Sequence, residues 1–278
     1  METRLEELKT FLRGLVGNGA ALAFSGGVDS SLLLAVLAGM LAEKPFGFAA
    51  LAMDSEFQRP GEIAAARRFA VRCNIDLKVI HFAPLELPEL RSNPPERCYF
   101  CKHAFFGKFR EFADRNRLNV LLDGTNADDL AVYRPGLKAL QEYGVISPLA
   151  ELGIGKNEIR AMAEELKLDC AHKPSSPCLA TRFDYGENLT AAALEAVGRG
   201  EELLRRFLPE NSNLRLRSNG RTARIEVSPE VMPSVLAGRQ KIVSELKVLG
   251  FKYITLDLNG FHSGGFDADK KLNEPNRG

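Results

Sequence analysis

Ser25-Gly26-Gly27-Val28-Asp29-Ser30 has the residue types and spacing to hold a phosphate. An apolar run at residues 20–24 precedes it and an apolar, helix-forming run at 30–43 follows, so a strand, a glycine turn and a helix start come in succession. The glycines allow a tight turn and close backbone approach to a ligand. The helix start offers unpaired N–H groups and the positive end of its dipole, which suits an anion. Ser25 and Ser30 add hydroxyls, and Asp29 is placed to cap the helix or to help hold Mg²⁺. No Gly-Lys-Ser/Thr follows, so this is not a Walker loop, and the dinucleotide-binding glycine spacing is absent.

Cysteine is the other reactive residue type. Cys178 lies in a Pro- and Ser-rich segment between Lys173 and Arg182. Those cations favour a thiolate, the nucleophilic form of the group, although a small apolar residue packed under a loop fits the same composition. Cys98 and Cys101, in Arg97-Cys98-Tyr99-Phe100-Cys101-Lys102, have the spacing of a metal-ligand or redox pair. Cys178 is the natural third thiolate for an iron–sulfur cluster. Cys73 and Cys170 sit in apolar or helix-end surroundings and read as packing residues.

These groups must be positioned by the elements that periodicity outlines. Helices are expected at 3–16, 30–43, 62–73, 100–116 and 156–168, and buried strands at 20–24, 46–53, 75–81 and 119–122. Residues 84–95 carry four prolines and read as a loop. Strands alternating with helices predict an α/β fold, a parallel sheet covered on both faces. Ligands in such sheets lie beyond the carboxyl ends of the strands. That rule puts Met53 and Asp54 near a base or ribose, and Asp123-Gly124-Thr125-Asn126-Ala127-Asp128-Asp129, which follows the fourth strand, at the ligand end of the sheet.

The pattern changes near Cys170. Residues 171–188 read as a loop. Helices at 189–207 and 229–248 and strands at 214–216, 224–227 and 253–258 form a small α+β unit, with a turn at Ser218-Asn219-Gly220 and a polar, mobile tail after Phe261. A domain at 1–172 and another at 173–278 are expected.

The chain has 278 residues, 45% of them hydrophobic and 26% charged, which is enough for a sizeable core and excludes a disordered composition. A net charge of +1 argues against bulk nucleic-acid binding. The longest strongly apolar run, residues 32–41, is too short to span a bilayer. The opening Met1-Glu2-Thr3-Arg4 leads into no apolar signal core, and five cysteines are an odd number, so a cytoplasmic protein with reduced thiols is expected.

Ser25–Ser30 resembles the PP-loop of the ATP pyrophosphatase superfamily, whose members split ATP between its α and β phosphates. Ser147-Pro148-Leu149 followed by Lys156 recurs there too. More specifically, the chain resembles the LarE family of ATP-dependent sulfur transferases, which serve nickel-pincer nucleotide synthesis for lactate racemase. The resemblance runs through Arg97-Cys98-Tyr99-x-Cys101-Lys102, Thr125-Asn126-Ala127-Asp128-Asp129 and Pro177-Cys178-Leu179-Ala180-x-Arg182. It continues in Arg215-x-Arg217, Ala223-Arg224-Ile225-Glu226 and Asp257-Leu258-x-Gly260-Phe261-x-Ser263-Gly264.

The resemblance implies ATP and Mg²⁺, with Ser25, Gly26, Gly27, Asp29, Ser30, Met53, Thr125 and Asn126 at the nucleotide. It implies a pyridinium biscarboxylate mononucleotide as substrate, its phosphate met by Arg182, Arg215 and Arg217, and Cys178 as catalytic thiol. It further implies a homo-oligomer, while charge and apolar run length lead to no nucleic-acid or membrane partner being expected. Some relatives hold a [4Fe-4S] cluster on three cysteines, and Cys98, Cys101 and Cys178 match that pattern. The match leans to the cluster type, with Cys178 acting alone as the other reading. Rival readings are a tRNA thiolation enzyme, an ammonia-using synthetase of the GMP or NAD type, and a nucleotide-binding regulatory protein.

Overall fold

The computed structural model describes residues 2–131, 134–174, 177–210 and 212–262. The chain divides into two compact units, one built on residues 1–90 and 94–176, the other on 91–93 and 177 onward.

In the first unit the elements run α1 (Glu2–Val16), β1 (Ala20–Ala23), α2 (Val28–Glu43), β2 (Phe48–Asp54), α3 (Glu62–Arg72), β3 (Leu77–His81), α4 (Pro88–Arg91) and α5 (Arg97–Arg115). They continue with β4 (Val120–Leu122), α6 (Ala127–Leu130), α7 (Gly136–Glu142), β5 (Val145–Ile146), α8 (Pro148–Glu151) and α9 (Lys156–Glu165). The five strands form one parallel sheet in the order β3-β2-β1-β4-β5.

Both faces of the sheet are covered, as the alternation of strand side chains requires. Ala20 and Leu22 of β1 join the core of α1, α2 and α9, while Ala21 packs with Phe106 and Phe109 of α5 and Leu140 of α7. The small side chains of β1 let helices approach from both sides. Apolar residues encircle α2, and nine of its side chains are buried, as befits a helix packed on more than one face.

The second unit is a three-stranded sheet, β6 (Leu214–Asn219), β7 (Thr222–Val227) and β8 (Tyr253–Leu256), with helices α10 (Ala191–Arg205), α11 (Met232–Ala237) and α12 (Arg239–Val248). A hairpin pairs β6 with β7, setting Arg215 opposite Glu226 and Arg217 opposite Arg224. Helix α10 lies close on β6: a Cβ at Gly200 would stand 2.3 Å from Leu216.

Several boundaries differ from the expectation. The proline-rich stretch holds a 3₁₀ turn at Pro84–Glu86 and the short α4, because proline at a helix start forgoes no hydrogen bond. Helix α5 begins at Arg97, not 100, so both cysteines of the pair lie on its first turns. The helix expected over 229–248 breaks at Gly238, where a Cβ would meet the Phe207 ring at 2.7 Å. Strand β6 runs on through Asn219, and the hairpin turns at Gly220, φ +54°. Periodicity does not reach α6, α7, β5 and α8, which span too few residues for a 3.6-residue period to register. The tail beyond His262 lies outside the described residues.

Candidate active site

The sheet order reverses between β1 and β4: successive strands run outward from β1 on one side and from β4 on the other. Open α/β sheets bind ligands at such a point, beyond the carboxyl ends of the strands. The Ser25–Ser30 loop leaves β1 there, and the Asp123–Asn126 loop leaves β4.

Gly26 turns the first loop with φ +71°, a conformation open to glycine. Ser30 Oγ ties the loop together, 3.1 Å from Ser25 Oγ, 3.2 Å from the Gly27 carbonyl it donates to, and 3.3 Å from the Ser25 N–H it accepts from. The cap of α2 is Gly27, without a side-chain cap bond. The first backbone N–H groups of α2 therefore have no intrahelical partner. This corrects the capping role considered for Asp29. That carboxylate instead accepts from Lys156 Nζ at 2.6 and 2.8 Å and from Asn126 Nδ2 at 3.3 Å.

The β4 loop braces α2. A Cβ at Gly124 would stand 2.9 Å from the backbone nitrogen of Ser30, so no larger residue fits without moving one loop off the other. Asp123 is buried and accepts from Thr125 Oγ1 and Ser147 Oγ, each at 2.6 Å. Asn126 caps α6 in a box with Asp129 while its amide nitrogen reaches Asp29. Thr125 and Asn126, expected at the nucleotide, are thus buried side chains spent on holding the loops. Met53 lies half-buried near the end of β2, and Asp54 is exposed with its carboxylate 3.8 Å from His81 Nδ1.

In the second unit, Cys178 precedes a 3₁₀ turn, Leu179–Arg182, and is half-buried. Its carbonyl accepts from Thr181 N at 3.0 Å, Thr181 Oγ1 at 2.7 Å and Arg182 at 3.3 Å. Arg182 also donates to the Pro177 carbonyl at 3.0 Å and grips both oxygens of Glu201, at 2.8 and 3.1 Å. Arg182 and Glu201 are each only 2% exposed. Glu201 in turn accepts from the Leu216 N–H at 3.1 Å, joining the turn to β6.

Of the three arginines expected at a substrate phosphate, two are committed within the protein. Arg182 holds the cysteine turn. Arg217 pairs with Glu226 and donates to the Thr181 carbonyl at 3.1 Å. Arg215 differs. It donates to the His262 carbonyl at 3.0 Å and stacks on Phe261 at 4.7 Å, but its Nε is buried with no partner among the described residues. Burial, then the charges of Arg182 and Arg217, pull its pKa down to about 10.

Lys173, expected to favour a Cys178 thiolate, donates to the Gly26 carbonyl at 3.0 Å. Lys173 is thus engaged at the loop, while Arg182 meets Cys178 through its backbone carbonyl. Cys98 is exposed, and Cys101 lies one turn on along α5, so the two share a helical face. Among the described residues no three His, Cys, Asp or Glu side chains form a metal-holding group. Two adjacent thiols supply part of a cluster's ligand set and no more. Cys170 is buried in the core and Cys73 packs against it. Burial pushes the Cys73 thiol up.

Sequence reasoning missed Glu201, the pairing of Glu226 with Arg217 and the supporting role of Asp123. The one trace of Glu201 is an acidic residue beside Gly200 on an otherwise apolar helix stripe.

No protein-family model matches the chain. An uncharacterized protein of Synechocystis is 37% identical over 266 residues, 95% of this chain and 97% of its own length. A pyridinium-3,5-bisthiocarboxylic acid mononucleotide synthase of Lactiplantibacillus plantarum is 33% identical over 244 residues, 87% of each chain. The chain belongs to the LarE family. Its α/β sheet is the PP-loop fold, in keeping with the 26% identity over 216 residues to a glutamine-hydrolyzing GMP synthase chain of Thermoplasma acidophilum, 72% of this chain and 67% of that one. As a LarE-family protein it is an ATP-dependent sulfurtransferase. Among the described residues no helix is long and apolar enough to cross a membrane.

Gly124→Ala is expected to displace α2 from the β4 loop at a cost of about 1–3 kcal/mol, with ATP affinity falling roughly tenfold or more by titration calorimetry. Glu201→Ala leaves a buried guanidinium uncompensated. It is expected to lower unfolding stability by about 3–5 kcal/mol, read from a denaturant midpoint.

Proposed function

We propose that this protein thiolates the carboxylates of a pyridinium biscarboxylate mononucleotide, on the route to the nickel-pincer nucleotide of lactate racemase. In this reading the first unit activates and the second transfers sulfur. A substrate carboxylate oxygen attacks the α-phosphorus of ATP, the bond from that phosphorus to the pyrophosphate oxygen breaks, and an acyl-adenylate forms. The N–H groups of α2, with Ser25 and Ser30, receive the pyrophosphate. Mg²⁺ fits at Asp29, a carboxylate at a phosphate-binding helix start that already attracts a cation, and would neutralise phosphate charge.

The Cys178 thiolate then displaces AMP to give a thioester. Removal of the Cys178 α-proton breaks its Cβ–S bond, leaving dehydroalanine in the chain and a thiocarboxylate on the substrate. The observation that carries this reading is the Cys178 turn. Its carbonyl is held by Thr181 and the buried Arg182–Glu201 pair, while the residue as a whole is only half-buried. Arg215, with its unpartnered nitrogen, is the guanidinium left to meet the substrate phosphate.

The second reading rests on Cys98 and Cys101 sharing a face of α5. They would hold a [4Fe-4S] cluster with Cys178, and a cluster-bound sulfide would be the donor. The family resemblance also supports a homo-oligomer, which light scattering tests.

Anaerobic turnover with ATP, Mg²⁺ and the biscarboxylate nucleotide, followed by intact-mass spectrometry, tests the proposal. Loss of the elements of H₂S from Cys178, with at most one sulfur transferred per chain, is expected for the sacrificial route. Cys178→Ser is expected to release pyrophosphate yet form no thiolated product. Many turnovers at unchanged protein mass would move the donor to a cluster, and no thiolated product from the wild type would remove the reading.

Arg215→Met gives a second test. The lowered pKa means that folding disfavours the charged guanidinium at every pH below about 10, and that this cost fades only as pH rises through that value. The variant is therefore expected to unfold at a higher denaturant midpoint near neutral pH. Its substrate affinity should weaken by about 10- to 100-fold, the worth of a charge-assisted hydrogen bond.

A further inference from the structure

Asp29 is the second residue of α2, so its carboxylate stands at the positive end of that helix. Both of its oxygens are taken by one ammonium, Lys156 Nζ, at 2.6 and 2.8 Å, and Asn126 adds a third bond. Lys156 begins α9, and its backbone is pinned: its N–H donates to Asp128 at 2.8 Å, and the preceding Gly155 N–H donates to Glu158 at 3.1 Å. The side chain can swing about that anchor while its backbone stays. The pair is partly exposed, 28% at Lys156 and 20% at Asp29. Ion pairs so placed contribute little to stability, so the contact needs another explanation.

We propose that Lys156 is a catalytic residue of the adenylation step that waits as the counter-ion of Asp29 until metal and nucleotide arrive. The proposal rests on reading the Ser25–Ser30 loop as the pyrophosphate site. Mg²⁺ binds carboxylate and phosphate oxygens at about 2.0–2.1 Å. It cannot take an Asp29 oxygen that an ammonium already holds without bringing two cations together. Metal binding and the Lys156–Asp29 pair therefore exclude one another. The displaced ammonium stays tethered at the start of α9, beside the loop that receives the phosphates. As the bond from the α-phosphorus to the leaving oxygen breaks, charge accumulates on pyrophosphate, and Lys156 offsets it there without giving up its proton. Lysine suits this exchange because its point charge sits on a flexible stem, whereas a guanidinium would hold the carboxylate through a fixed fork.

The competition makes two effects run in opposite directions. Lys156→Met removes the competing cation, so metal binding should tighten while the chemical step slows. A residue that only held the loop in shape would weaken both. Mn²⁺ serves as the metal probe, titrated into the full chain by electron paramagnetic resonance with saturating α,β-methylene-ATP. Its apparent dissociation constant is expected to fall about two- to fivefold in the variant, the worth of a partly exposed ion pair. Substrate-dependent ATP–pyrophosphate exchange at saturating Mg²⁺ is expected to lose roughly tenfold or more in kcat, with partial recovery in Lys156→Arg.

Lys156→Gln run in parallel, with a circular-dichroism melt of each variant, guards against a folding defect. Unchanged or weaker Mn²⁺ binding in well-folded variants would overturn the proposal, as would an unchanged kcat. Wild-type protein that binds Mn²⁺ with the analogue but shows no substrate-dependent exchange would instead remove the thiolation reading. The metal titration would then still decide the competition.

Discussion

The first turn of α2 must keep its backbone N–H groups unpaired at the centre of a sheet covered on both faces. Much of the first unit answers to that constraint. Strand β1 is nearly all alanine, so helices close from both sides without crowding the loop. Gly27 takes the cap position, where an Asx or Ser side chain would consume a donor that the ligand needs. The β4 loop then supports the turn from outside through Gly124, whose missing side chain permits backbone-to-backbone contact. Asp123 and Thr125, both buried, and the half-buried Ser147 hold that loop with short hydrogen bonds. Donors left open for a ligand are thus framed by donors that are fully used.

The second unit solves a different problem with buried charge. Burying ions is costly unless they are paired and hydrogen-bonded. Glu201 and Glu226 supply the pairing for Arg182 and Arg217, and each arginine spends a further nitrogen on a backbone carbonyl of the cysteine turn. The result is specificity of position: the backbone on either side of the thiol is tied to α10 and to the β6–β7 hairpin. Arg215 remains in the same charged layer without a carboxylate of its own among the described residues, and burial, then the charges of Arg182 and Arg217, pull its pKa down. A protein that retains such a residue forgoes stability at the site, a common trade where a ligand supplies the missing partner.

Taken with membership in the LarE family, these two devices suit the two halves of an activation-and-transfer reaction. Adenylation needs fixed donors and mobile cations around a departing pyrophosphate. In the proposed route, sulfur transfer needs a thiol on a backbone that does not yield as the thiolate attacks and its Cβ–S bond breaks. The first unit has open N–H groups and an ion pair able to change partners. The second has a turn held by groups that cannot.

Legible from residue order alone were the alternation of strand and helix, the glycine turn between β1 and α2 and the change of pattern near Cys170. Those features are local: a glycine turn and a period of 2 or 3.6. The short elements α6, α7, β5 and α8 were not legible, because each spans too few residues for a period to register. Nor was the division of labour among the arginines. Arg182, Arg215 and Arg217 are alike in sequence, and only the fold assigns Glu201 to the first and Glu226 to the third, leaving the second without a carboxylate among the described residues. Nor does residue order show that Thr125 and Asn126 bond within the loops, or that Lys173, expected to favour the Cys178 thiolate, donates to the Gly26 carbonyl. A residue's type states which bonds it can make. Which bonds remain to be made depends on neighbours brought close from distant parts of the chain, and that only the tertiary structure decided.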